Sequence, residues 1–132
     1  MIIDASAIVA IALKEATAPS LLTAIINADS CGISASTYLE ACIVIDSRRN
    51  PVAGRRLDEL MRSSEIEVVP FSEEQARIAR QAYRDYGRGS GHPANLNFGD
   101  CFSYALAAER REPLLYVGDD FVHTDIRSAL ER

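Results

Sequence analysis

The sequence predicts an α/β chain: a mostly parallel sheet covered by helices on both faces. Two observations carry the prediction. Short apolar runs of strand length alternate along the chain with segments whose apolar residues recur at helical spacing. Several of the helical segments open on capping or proline signals, which separate them from the runs between. Strands that alternate with helices in this way pair in parallel and are buried on both sides.

Met1–Asp4 is a short apolar run ending in an acid, and it reads as the first strand. Ser6 is placed to cap a helix over residues 6–14. Pro19 suits the first turn of a second helix, in which Leu21, Leu22, Ile25 and Ile26 keep helical spacing. Cys31–Ser34 reads as the second strand. Thr37-x-x-Glu40 matches a capping box ahead of a helix that carries Leu39, Cys42 and Ile43 and ends near Asn50-Pro51. A further helix is expected over 52–63, with Leu57, Leu60 and Met61 inward. Glu65–Pro70 reads as a strand. Ser72-x-x-Gln75, a second capping-box match, opens a helix to about Tyr86. Gly87–Asn97 is loop-like. A helix from about Gly99 to Arg111, a strand over Pro113–Val117 and an irregular or helical tail from Asp119 complete the chain.

The 132 residues, with no repeat or linker, read as one domain over 1–132. Cys31, Cys42 and Cys101 are odd in number and widely spaced, which argues against disulfides and structural zinc and for a reducing cytoplasm. The longest apolar run, Ala7–Leu13, is too short to cross a bilayer, so no membrane is expected. An acid at position 4 and the lack of a basic stretch do not read as a signal peptide. The net charge of −5 argues against a protein that holds nucleic acid by charge alone. The cations are unevenly spread, however. Lys14 is the only lysine, and nine arginines lie between Arg48 and Arg88. A chain can be acidic because its site is acidic while an arginine rim faces a polyanion.

Parallel α/β sheets place their sites at the carboxyl ends of strands. Asp4 ends the first strand, and Asp119 and Asp120 lie just past the last. Glu40 and Asp100 sit early in the helices after the second strand and before the last strand. Each has a bland explanation taken alone. Asp4 and Asp100 suit helix caps, Glu40 suits a capping box, and Asp119-Asp120 suits a solvated turn. Together, four separate segments bring acids to one edge, which chance placement would scatter. Two such charges about 4 Å apart repel by roughly 4 kcal/mol at an effective dielectric near 20. The fold tolerates this only with raised pKa values or a bound cation. Carboxylates without His or Cys select a hard cation, Mg²⁺ or Mn²⁺. Neither His92 nor His123 is needed as a ligand. Chemistry of this kind suits phosphodiester hydrolysis.

The chain resembles the PIN-domain ribonucleases and, among them, the VapC toxins of bacterial type II toxin–antitoxin systems. The resemblance spans essentially the whole chain and rests on "MIIDASAIVAI", "STYLEACIV", "LNFGDCFSYALA" and "PLLYVGDDFVHTDI", in order and at matching spacing. It implies a three-layer α/β/α fold around a parallel sheet of four or five strands. It also implies Mg²⁺- or Mn²⁺-dependent endoribonuclease activity, a homodimer, and inhibition by a VapB-type antitoxin. Position by position, it makes Asp4, Glu40 and Asp100 metal-site acids, with Asp4 and Asp100 the most direct ligands. Ser6 becomes a polar neighbour that orients Asp4 or a water, and Asn97 supports Asp100. Relatives commonly carry Thr-x-Asp before the closing Phe, whereas Gly118-Asp119-Asp120-Phe121 stands here. Either aspartate can face the metal, and the spacing to Phe121 favours Asp120. Arg84 and Arg88 are candidates to guide an RNA backbone, and equally suit a solvated helix face.

Two other classes fit less well. A phosphoacceptor receiver also gathers acids at a parallel-sheet edge, but it needs a lysine after its last strand and an acidic pair after its first. A non-catalytic interaction module would have no need to keep all the acids.

Overall fold

A computed structural model describes residues 1–130. It contains four strands, β1 (Ile2–Ile3), β2 (Gly32–Ser34), β3 (Glu67–Val69) and β4 (Leu114–Leu115). Six helices accompany them: α1 (Ala5–Ala12), α2 (Ala18–Asn27), α3 (Ala35–Ser47), α4 (Pro51–Ser63), α5 (Glu73–Tyr86) and α6 (Phe98–Arg110). The sheet order is β3-β2-β1-β4 and every pairing is parallel. The chain thus runs outward from β1 through β2 to β3, then crosses back to add β4 on the other side of β1. That reversal makes the carboxyl end of β1 a topological switch point, where open α/β sheets place their ligands.

The two residues of β1 divide the core. Ile3 packs with Ile8, Leu21, Ile33, Ile45 and Leu57 under α1–α4. Ile2 packs with Leu106, Leu114 and Phe121 under α5 and α6. Consecutive strand side chains point to opposite faces, so this alternation produces the three-layer α/β/α arrangement. Helix signals explain most of the boundaries. Asn50 caps α4 through bonds from the Val52 and Ala53 amides, with Pro51 at the first position. Ser72 caps α5 by accepting from the Gln75 amide, but Gln75 spends its own side chain on Pro70 and Glu109, so only half of the box forms.

Two local expectations are corrected. Asp4, not Ser6, caps α1, because the strand ends one residue before it and the helix starts at Ala5. Thr37-x-x-Glu40 is not a capping box. β2 runs directly into α3 at Ala35, with Ser34 at the cap position, so Thr37 is already inside the helix and fully buried. The short capping pattern could not reveal how close the preceding strand would come.

Candidate active site

Asp4 occupies the switch point and is 6% exposed. Its carboxylate is held from both sides. Oδ2 accepts from the Ser6 amide at 3.1 Å and from Ser6 Oγ at 2.6 Å, and Oδ1 accepts from Ser103 Oγ at 2.5 Å. Ser6 Oγ in turn accepts the Val117 N–H at 3.0 Å, which ties the exit of β4 to the start of α1.

Asn97 and Asp100 form a reciprocal capping box at the start of α6. Asn97 Oδ1 accepts from the Asp100 amide at 2.8 Å, and Asp100 Oδ2 accepts from the Asn97 amide at 3.0 Å. The cap and the chemistry are therefore not alternatives: the box fixes the carboxylate's position. Asp100 is 8% exposed. Burial raises its pKa to about 7, against the lowering pull of the Asn97 backbone bond, and Asp120, Asp4 and Glu40 push it further up.

Glu40 reaches this edge from the second turn of α3. Its carboxylate lies over the first turn of α6, so close to Gly99 that a Cβ there would stand 2.6 Å from Oε2. Partial burial, followed by the charge of Asp4, raises its pKa. The residue spacing leaves a notch where only glycine admits the acid.

The closing segment turns at Gly118, whose φ of +98° favours glycine. Phe121 then plugs the core under α6, and Tyr104 donates to Asp125 Oδ1 at 2.6 Å. Asp119 and Asp120 between these anchors are exposed. Asp120 is among the charges that raise the pKa of Asp100. Arg84, in the last turn of α5, and Arg88, just after it, are exposed. His92 is spent within its loop: Nδ1 accepts the Ala94 N–H and the ring packs edge-on against Tyr86.

The structure thus brings Asp4, Glu40, Asp100 and Asp120 into one electrostatic group with Ser6 and Asn97 bonded to its members. Among the described residues, no side-chain bond ties Asp119, Arg84 or Arg88 to them. Sequence reasoning missed Ser103 and Thr37, which lie behind Asp4 with a contact between their hydroxyl oxygens at 3.3 Å. The only signal for them was spacing, since each stands three residues from an acid on its own helix, Asp100 and Glu40.

These residues fit a hard divalent cation. The donors are carboxylates, and the Gly99 notch leaves room for one of them. Ser34 Oγ, buried at the carboxyl end of β2, has no hydrogen-bond partner among the described residues. Among the described residues no three His, Cys, Asp or Glu side chains stand close enough to form a finished cage. Mg²⁺ does not require one, because it keeps several waters and is usually held by one or two carboxylates.

The fold is a parallel α/β sheet with Asp4 at its switch point, where open sheets of this class place their ligands. A family model described as PIN domain matches residues 1–127. Ribonuclease VapC28 of Mycobacterium tuberculosis is 58% identical over 132 residues, covering 100% of this chain and 99% of the relative. Ribonuclease VapC42 of the same species is 51% identical over 129 residues, covering 98% of each. The chain therefore belongs to the PIN-domain family and stands among its VapC ribonucleases. Among solved structures, a toxin–antitoxin complex from Klebsiella pneumoniae shares the fold with a TM-score of 0.71 at 16% identity, covering 99% of this chain and 98% of that one. M. tuberculosis VapC20, described as a sarcin–ricin-loop-cleaving toxin, does so with a TM-score of 0.70 at 16% identity, covering 96% and 98%.

Proposed function

We propose that the chain is an Mg²⁺- or Mn²⁺-dependent endoribonuclease, the toxin of a type II toxin–antitoxin pair, acting in the cytoplasm as a homodimer and neutralised by a VapB-like antitoxin. The observation that carries the chemistry is the Asp100 carboxyl, 8% exposed and raised to about pKa 7 by burial, with Asp120, Asp4 and Glu40 adding to the rise. A fold keeps such a group where positive charge is to be bound. Whole-length identity to relatives named ribonuclease supports RNA as the substrate.

In this reading Asp4 and Asp100 are the principal ligands, with Glu40 and Asp120 completing the acidic rim. A bound divalent cation supplies Lewis-acid stabilisation of the charge that builds on the phosphodiester. Ser6 holds Asp4 against rotation. Asn97 holds Asp100 through the capping box, and the N-terminus of α6 favours its negative charge. Glu40 and Asp120 stand at the solvent side, where a backbone phosphate would arrive with its own charge screened by the cation. In this reading Arg84 and Arg88, exposed at the end of α5, would meet the flanking polyanion. An antitoxin that covers the acidic edge would block metal and RNA together. Among the described residues no helix is long and apolar enough to cross a membrane.

Incubation of RNA with the purified chain, with Mg²⁺ or Mn²⁺ and with chelator, tests the reading. Cleavage is expected only with metal and is lost in Asp100→Asn. Equal cleavage in all conditions refutes it. Co-expression with the neighbouring reading frame tests the partner: failure to restore growth or to co-purify counts against the antitoxin.

A further inference from the structure

The four acids come from four segments, and one chain of hydrogen bonds crosses all four. Thr37 Oγ1 lies 3.3 Å from Ser103 Oγ, Ser103 Oγ bonds Asp4 Oδ1 at 2.5 Å, Asp4 Oδ2 bonds Ser6 Oγ at 2.6 Å, and Ser6 Oγ takes the Val117 N–H at 3.0 Å. Donor counting gives the chain a direction. A serine hydroxyl has a single proton. That of Ser103 goes to the Asp4 carboxylate, so Thr37 must donate to Ser103. Ser6 accepts from Val117 and therefore gives its proton to Asp4. Both ends thus point their protons inward, and Asp4 collects them.

The members also sit at regular distances from the acids. Thr37 is three residues before Glu40, Ser103 three after Asp100, and Val117 three before Asp120. On α3 and α6 that is about one helical turn. Thr37 and Ser103 are both fully buried at 0% exposure, where an unused hydroxyl is unfavourable. Ser103 lies inside the apolar run Phe102–Ala108, where alanine would satisfy packing.

We propose that Ser103, backed by Thr37, is a positioning residue for the metal centre, locking Asp4 Oδ1 and setting the relative placement of Asp4, Glu40, Asp100 and Asp120. The inference rests on the metal-dependent reading above. Without Ser103, Asp4 is restrained from one side only, and α3 loses its polar link to α6. Thr37 and Ser103 touch neither RNA nor metal.

Direct Mn²⁺ titration of the full chain, by calorimetry or electron paramagnetic resonance without RNA, tests it. Ser103→Ala is expected to weaken Mn²⁺ binding about tenfold, the usual effect of removing a group that orients a ligand. Thr37→Val, which keeps the shape and removes the hydroxyl, is expected to weaken it roughly threefold, since the Ser103–Asp4 bond survives. Ile45→Val, a trimming of the α3 core away from the chain of bonds, should leave the affinity at the wild-type value. Mn²⁺ affinity within twofold of wild type in Ser103→Ala overturns the proposal, as does an equal loss in Ile45→Val. If Ser103→Ala does not fold, Thr37→Val decides alone, with an unchanged affinity overturning it. The two readings fail separately. Wild type that binds Mn²⁺ but leaves RNA whole refutes the nuclease reading, whereas wild type that cleaves RNA while Ser103→Ala binds Mn²⁺ normally refutes only this one.

Discussion

Replacing Asp100 with asparagine should stabilise the metal-free protein at high pH while removing its activity. The pKa of Asp100 rises from 3.8 to about 7 on folding. The folded state therefore holds the proton longer than the unfolded chain does. Stability from this group is full below about pH 4 and is lost as pH rises through 7. A shift of roughly three units at 1.36 kcal/mol each gives a loss of at most about 4 kcal/mol by pH 8. Asparagine carries no proton to lose, and its side-chain oxygen can still accept from the Asn97 amide. The stability gap between variant and wild type should therefore widen between pH 4 and pH 8 by roughly 2–4 kcal/mol, or about 10 °C in Tm. Urea unfolding at both pH values, with chelator present, measures it. Adding Mg²⁺ at pH 8 should close the gap by stabilising wild type alone. A gap that stays constant across pH refutes the reasoning, because it would mean that Asp100 ionises without opposition.

Gly99→Ala places a methyl 2.6 Å from the present position of Glu40 Oε2. The obstacle is the tip of a flexible side chain and alanine favours the helix, so the Tm should hold or rise slightly while RNA cleavage falls at least tenfold; undiminished cleavage would remove Glu40 from the centre. Asp120→Asn should lower cleavage at least tenfold and Asp119→Asn by less than twofold, because Asp120 is among the charges that raise Asp100. The reverse ranking in a turnover assay would move the fourth acid to Asp119.

Much of the site could be read from local pattern. Asn97-x-x-Asp100 sits at a helix start in the sequence and forms a cap in the structure, because capping is settled within one turn. Asp4 at the end of a strand needed only the strand. The same kind of pattern misled at Thr37-x-x-Glu40, where the spacing is right for a cap but Ser34 already ends β2 and holds the cap position. Ser103 was invisible for a different reason. Inside an apolar run a serine looks like a small packing residue, and its partner Asp4 is 99 residues away. The half-formed box at Ser72 failed similarly, since Gln75 found Glu109 on another helix.

The sequence by itself determined the alternation of strands and helices and the parallel sheet that follows from it, and it named the candidate acids, because periodicity, caps and strand ends are local properties. Only the tertiary structure showed how closely Glu40 approaches Gly99 and that Thr37 and Ser103 stand behind Asp4. Those depend on how α3, α6 and the closing segment pack around the end of β1. Burial, Coulomb repulsion and hydrogen-bond reach act over a few ångströms of space, whatever the separation along the chain.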